Sequence, residues 1–159
     1  MDVETLSHLA RLIRGRRVAA LGTLRPTGEP MVSMIAVAPE PDLGGFLLLA
    51  SGLAQHTKDF LRDPRVSLLF AELDVDPEAD PQTLARVSIM GRIEQVESHD
   101  LPSARARYLD QFPHAERLFA LGDFVLYRVV LRSARFVAGF GRTYDLSPSH
   151  FHQASMLGA

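Results

Sequence analysis

The sequence contains no cysteine. That absence removes disulfides, thiolate-ligated zinc, iron–sulfur clusters and thiol nucleophiles together, and it fits a reducing compartment. Charge of either sign is not in excess: the formal net charge is -2, so there is no global pull toward nucleic acid or an anionic membrane surface. No apolar run approaches the roughly 20 residues that a membrane span needs. The opening Met1-Asp2-Val3-Glu4 is acidic and lacks the basic-then-apolar order of a secretory leader. Together these absences point to a cytoplasmic protein with neither nucleic acid nor membrane as a partner. The phosphate-loop, dinucleotide-fingerprint, nucleophile-elbow and HExxH motifs are missing too. The histidines at 8, 56, 99, 114, 150 and 152 include no pair at i, i+4 spacing, which argues against a zinc site.

What is present suits a single domain. The 159 residues are 47% hydrophobic, enough to fill one core. Val3 to Ile13 places Leu6, Leu9, Ala10 and Ile13 at helical spacing, with Gly15 as a breaker. Val18 to Leu24 and Met31 to Val37 are short apolar runs joined by Arg25-Pro-Thr-Gly-Glu29, which predicts an antiparallel pair. Phe46 to Ala50 reads as a buried strand, Leu53 to Leu61 as a helix capped by Ser51, and Arg65 to Ala71 as the next strand. The acidic stretch from Glu72 to Gln82 is a solvated loop. Leu84 to Val96 alternates as a long strand, and its Gly91 predicts a bulge or a close backbone approach. Ser98 to Leu109, capped by Ser98, and Phe112 to Leu121 are further helices. Phe124 to Leu131 and Ala134 to Ala138 close the strand list. The chain therefore reads as mainly β within the α+β class: six or seven antiparallel strands forming a barrel with flanking helices over residues 1–145, which the family resemblance below narrows to a split β-barrel. Residues 146–159 lack periodicity and read as a C-terminal tail.

The densest polar chemistry is Ala50-Ser-Gly-Leu-Ala-Gln-His-Thr-Lys58. A strand ends, a turn of small residues follows, and a helix opens with hydroxyl, amide, imidazole and ammonium groups. Helix N-termini expose unpaired N–H groups that attract phosphate. An ordinary capped helix with a polar surface accounts for the same residues.

The stretch from Leu47 to Phe70, with Ala54-Gln-His-Thr-Lys58 and Asp63-Pro64 as its most specific pieces, resembles the pyridoxamine 5′-phosphate oxidase-like FMN-binding split barrels. Gly28-Glu-Pro-Met-Val-Ser-Met34 and Arg86-Val-Ser-Ile-Met-Gly-Arg92 are similar to two further strands of that family. Arg135-Phe-Val-Ala-Gly-Phe-Gly-Arg142 resembles the end of the barrel in its haem-utilisation branch. The resemblance implies a homodimeric flavoprotein with a small-molecule substrate, read first as an FMN-dependent oxidoreductase. It implies that Val32, Ser33 and Met34 meet the flavin ring and that Ala50 and Ser51 lie by the ribityl chain. Gln55, His56, Thr57 and Lys58 would hold the phosphate, and Arg86 would reach FMN from the other subunit. Arg142 and its neighbours would cover the flavin or anchor the C-terminal segment. The oxidases' basic pair is replaced here by Gln55-His56, and their C-terminal substrate-reading pattern is missing. Both departures argue against a pyridoxamine phosphate oxidase proper.

Two roles suit several of these residues. Lys58 is either a phosphate ligand or a solvated helix lysine, and Arg86 is either a flavin contact or the partner of Glu78 or Asp80. On the haem-utilisation branch the alternative function is haem binding or haem degradation, with His150 or His152 as the iron ligand. A third reading is a non-catalytic flavin-binding module.

Overall fold

The computed structural model describes residues 1–157. It opens with helix α1 (Val3–Arg14), whose first turn is fixed by the Asp2 carboxylate accepting from Thr5 N–H at 2.7 Å. Strands β1 (Val18–Leu24) and β2 (Pro30–Ala36) follow, then the two-residue β3 (Ala38–Pro39) and β4 (Gly45–Ser51). Helix α2 (Gln55–Arg62) leads to β5 (Arg65–Ala71), and β6 (Arg86–Gln95) to α3 (Leu101–Gln111). The short α4 (Glu116–Phe119) precedes β7 (Phe124–Val137), β8 (Thr143–Leu146) and α5 (Pro148–Ser155).

The strands form one antiparallel sheet in the order β2-β1-β5-β6-β7-β4-β3, with β8 added on β7. The sheet curls until β2 and β4 meet, which makes it the antiparallel barrel that the strand pattern predicts and the split barrel that the resemblance implies. Alternation decides what lies inside. On β1, Ala19, Leu21 and Thr23 are buried while Val18, Ala20, Gly22 and Leu24 face outward. The inner face packs with Leu9 and Ile13 of α1 and Phe151 of α5 into one core. A second cluster, including Tyr108 and Phe112 next to Leu126, fills the space under α3. Each fully buried Leu, Ile or Phe contributes about 1.5–3 kcal/mol of transfer free energy, which makes the interior, rather than surface pairing, the main source of stability.

Four sequence expectations need correcting. Ser51 does not cap α2; its hydroxyl donates to Asp123 and accepts from Leu53 N–H, and the helix starts four residues later at Gln55. Ser98 is exposed and α3 starts beyond it, at Leu101, after Asp100. The two strands expected at 124–131 and 134–138 are a single 14-residue strand, because a bulge rather than a turn separates their halves. The segment expected as a tail carries the end of β8 and all of α5. Phe151 and Ala154 are buried there, and Arg14 of α1 donates to the carbonyls of Ser155 and Leu157. Only 158–159 lie outside the described residues. The expected bulge at Gly91 is present: Met90 pairs with Ser133, Gly91 with Leu131, and Arg132 is the extra residue. Among the described residues, no helix is long and apolar enough to cross a membrane.

Candidate functional site

Helix α2 lies over the inner faces of β1 and β2 at one end of the barrel, and its polar side chains bond mainly to the protein. Gln55 donates from Nε2 to Asp59 Oδ1 at 2.8 Å, and Thr23 of β1 donates to Asp59 Oδ2 at 3.3 Å. The Arg25 guanidinium lies 3.7 Å from the same carboxylate, which is 1% exposed. His56 Nδ1 lies 3.2 Å from Ser33 Oγ on the inward face of β2. Burial pushes the His56 pKa below its ordinary value, against the opposing pull of the Asp59 charge. Thr57 is fully buried and its hydroxyl has no partner among the described residues, whereas Lys58 is exposed.

This arrangement fits a phosphate poorly. Of the donors expected to cradle it, Gln55 and His56 are engaged within the protein, Thr57 is sealed in, and the cluster already contains an anion in Asp59. Only Lys58 presents a free-standing cation to solvent. Ala50 is buried in the barrel interior, and Ser51 is tied to Asp123. Arg86 donates to the carbonyls of Gln82 and Leu84, with Glu78 and Asp80 not among its partners. Arg142 donates to Thr5 at the start of α1, which anchors the β7–β8 turn. His150 Nδ1 sits in a capping box with Ser147, and His152 is exposed on the same helix α5.

Sequence reading missed a groove on the outward face of the sheet. Cross-strand register lines up Val32, Gly22, Ser67 and Met90 in one row, and Pro30 and Leu24, then Arg65 and Arg92, in the next. Small residues in the middle of that face and larger ones around it leave a groove of about 700 Å3, inside the ~300–1,000 Å3 range of small-molecule sites. Its lining is mostly apolar, and the charged groups on it are Arg65, Arg92 and Arg132. The outward parity of Gly22, Ser67, Met90 and Arg92 was visible in the strand pattern. The side-by-side alignment of four strands was not, because register between strands is set by the whole sheet. Of the residues expected to touch a ligand, the groove includes Val32. Ser33 and Met34 lie in an adjoining shallow depression of about 380 Å3 with Val18 and Leu69, and neither α2 nor α5 contributes to the groove. Val32 and Met34 are 66% and 71% exposed.

A curled antiparallel sheet with a groove on its outer face defines a split-barrel protein. More narrowly, the chain belongs to the CREG β-barrel family, whose model matches residues 2–153. It is 35% identical over 117 residues to a chloroplastic haem oxygenase, HOZ, of Arabidopsis thaliana, covering 74% of this chain and 34% of that protein. It is 26% identical over 137 residues to the haem oxygenase HutZ of Vibrio cholerae, covering 83% and 75%. A haem-binding protein from Mycobacterium smegmatis superposes with a TM-score of 0.83 at 26% identity, over 94% of this chain and 60% of that one. The chain thus spans about a third of the Arabidopsis protein and three fifths of the mycobacterial one.

Proposed function

We propose that this protein binds haem in the groove on its outward sheet face and does so as a homodimer. The observation that carries the reading is the groove itself: a concavity of about 700 Å3, apolar on its floor and walls, with positive charge at one end. An amphipathic, planar dianion is the ligand class that such a surface suits. The relatives' names add support, since the Arabidopsis, Vibrio and Mycobacterium proteins are each named for haem. Haem binding therefore ranks above the FMN-dependent oxidoreductase expected from the sequence. The arrangement around α2, with Gln55 and His56 already engaged, weighs against a phosphate as well.

Haem would bring the iron chemistry. The chain's part is to shield the macrocycle with apolar side chains and to match its carboxylates with positive charge. The homodimer is supported by the neighbouring patch, where Val18, Met34 and Leu69 are exposed together on the same face. Contiguous exposed apolar surface of this kind is a mark of an interaction site.

The test is a titration of the purified protein with haem, followed by absorbance. A shifted Soret band that saturates at one haem per chain is expected, together with no change in FMN fluorescence over the same protein range. A haem spectrum indistinguishable from that of free haem would overturn the proposal.

A further inference from the structure

Three arginines meet at one end of the groove, and their surroundings differ. Arg65 and Arg92 are Cα partners across β5 and β6, and Arg132 stands beside them on β7. Arg65 already has an anion. Its guanidinium donates to both Asp63 carboxylate oxygens, at 3.0 Å from Nε and 2.6 Å from Nη2, and this pairing holds the Asp63 carboxyl well below the usual range. Arg92 and Arg132 take part in no ion pair among the described residues.

The backbone makes a special arrangement to present Arg132. It is the extra residue of the β6–β7 bulge, left without a cross-strand partner between Leu131 and Ser133, and a bulge re-aims the side chain it carries. The bulge depends on Gly91, because a Cβ there would lie 2.6 Å from Val130 O and 2.7 Å from Val129 Cγ1. Next to the arginines the floor is low: Gly22 and Ser67 lie side by side on the outward face, and a Cβ on Gly22 would meet Ser67 Oγ at 2.4 Å. Two unpaired guanidinium groups at the edge of a flat apolar floor complement a planar ligand with two carboxylates on one edge.

We propose that Arg92 and Arg132 form a carboxylate clamp that takes the two propionates of haem and lays the macrocycle over Gly22 and Ser67. The proposal rests on the haem reading above and adds to it a specificity: the protein selects tetrapyrroles with free carboxylates. Arg65, neutralised by Asp63, does not belong to the clamp.

The experiment compares haem with haem dimethyl ester in the wild-type protein, in the Arg92→Ala/Arg132→Ala double variant and in Arg65→Ala. In the wild type the ester binds roughly tenfold more weakly, the sum of two exposed Arg–carboxylate pairs. In the double variant the free acid weakens by about the same factor and the acid-to-ester ratio falls to near one, while Arg65→Ala keeps the ratio. All three arginines are exposed, so folding is preserved, and circular dichroism verifies it. A ratio that persists in the double variant, or one that collapses in Arg65→Ala alone, overturns the clamp. So does an altered oligomeric state in the double variant, which would place these arginines between copies. Absence of haem binding by the wild type overturns the haem reading itself, a result distinct from haem bound without discrimination.

Discussion

Ser33 Oγ and His56 Nδ1 lie 3.2 Å apart and tie the inward face of β2 to the first turn of α2. The imidazole is half-buried there, and burial disfavours its charged form. Its pKa in the folded chain is therefore lower than in the unfolded one, where it is about 6.5. Below that value the unfolded chain binds more protons, so the stability contributed by His56 is complete above about pH 6.5 and is lost as pH falls toward the folded pKa. Urea unfolding between about pH 7.5 and 5 should show stability rising with pH, and His56→Gln should flatten that slope. An unchanged slope in the variant would assign the effect to another group.

The buried Asp59 carboxylate collects Gln55, Thr23 and Arg25. Removing it strands the buried Thr23 hydroxyl. Asp59→Ala should lower stability by about 3 kcal/mol, and Asp59→Asn by less, since the amide oxygen still accepts. Denaturant midpoints at neutral pH provide the check.

Gly91→Ala forces a methyl into Val130 O and the Val129 side chain. Overpacking of this kind costs about 1–3 kcal/mol, which a thermal melt resolves. Because the bulge carries Arg132, the same variant should also weaken haem more than its ester.

Met34→Glu puts a charge at the centre of the exposed apolar patch with Val18 and Leu69. The proposed homodimer should dissociate, with light scattering reporting a dimer mass for the wild type and a mass close to the 17.6 kDa of one chain for the variant. A dimer of unchanged mass would move the interface elsewhere.

His150→Ala/His152→Ala should retain haem binding, because neither residue lines the groove. Loss of the Soret shift would instead bring α5, from this chain or its partner, into the haem site.

The antiparallel barrel was legible because its signals are local. Alternation on β1, the Pro-Gly turn before β2 and the lone Gly91 each follow from a few neighbouring residues. The segment after Gly139 was not legible. The α5 helix has a burial face of two residues, Phe151 and Ala154, too short for periodicity to register, and its place is set by Arg14 far away in sequence. Ser51 misled for a related reason: a hydroxyl before a helix usually caps it, and here Asp123 claimed it first. Arg92 and Arg132 become neighbours only after β6 and β7 are placed in register.

The Gly91 bulge has a further effect along β7. Before it, odd-numbered residues point inward, as Tyr127, Val129 and Leu131 do; after it, even-numbered ones do, as with Ala134 and Phe136. One inserted residue thus works as a phase shifter. Deleting Arg132 would not simply shorten a strand or remove a charge. It would remove the bulge and let the strand alternate without a break, with Leu131, Ala134 and Phe136 all still facing inward and no residue re-aimed toward the groove.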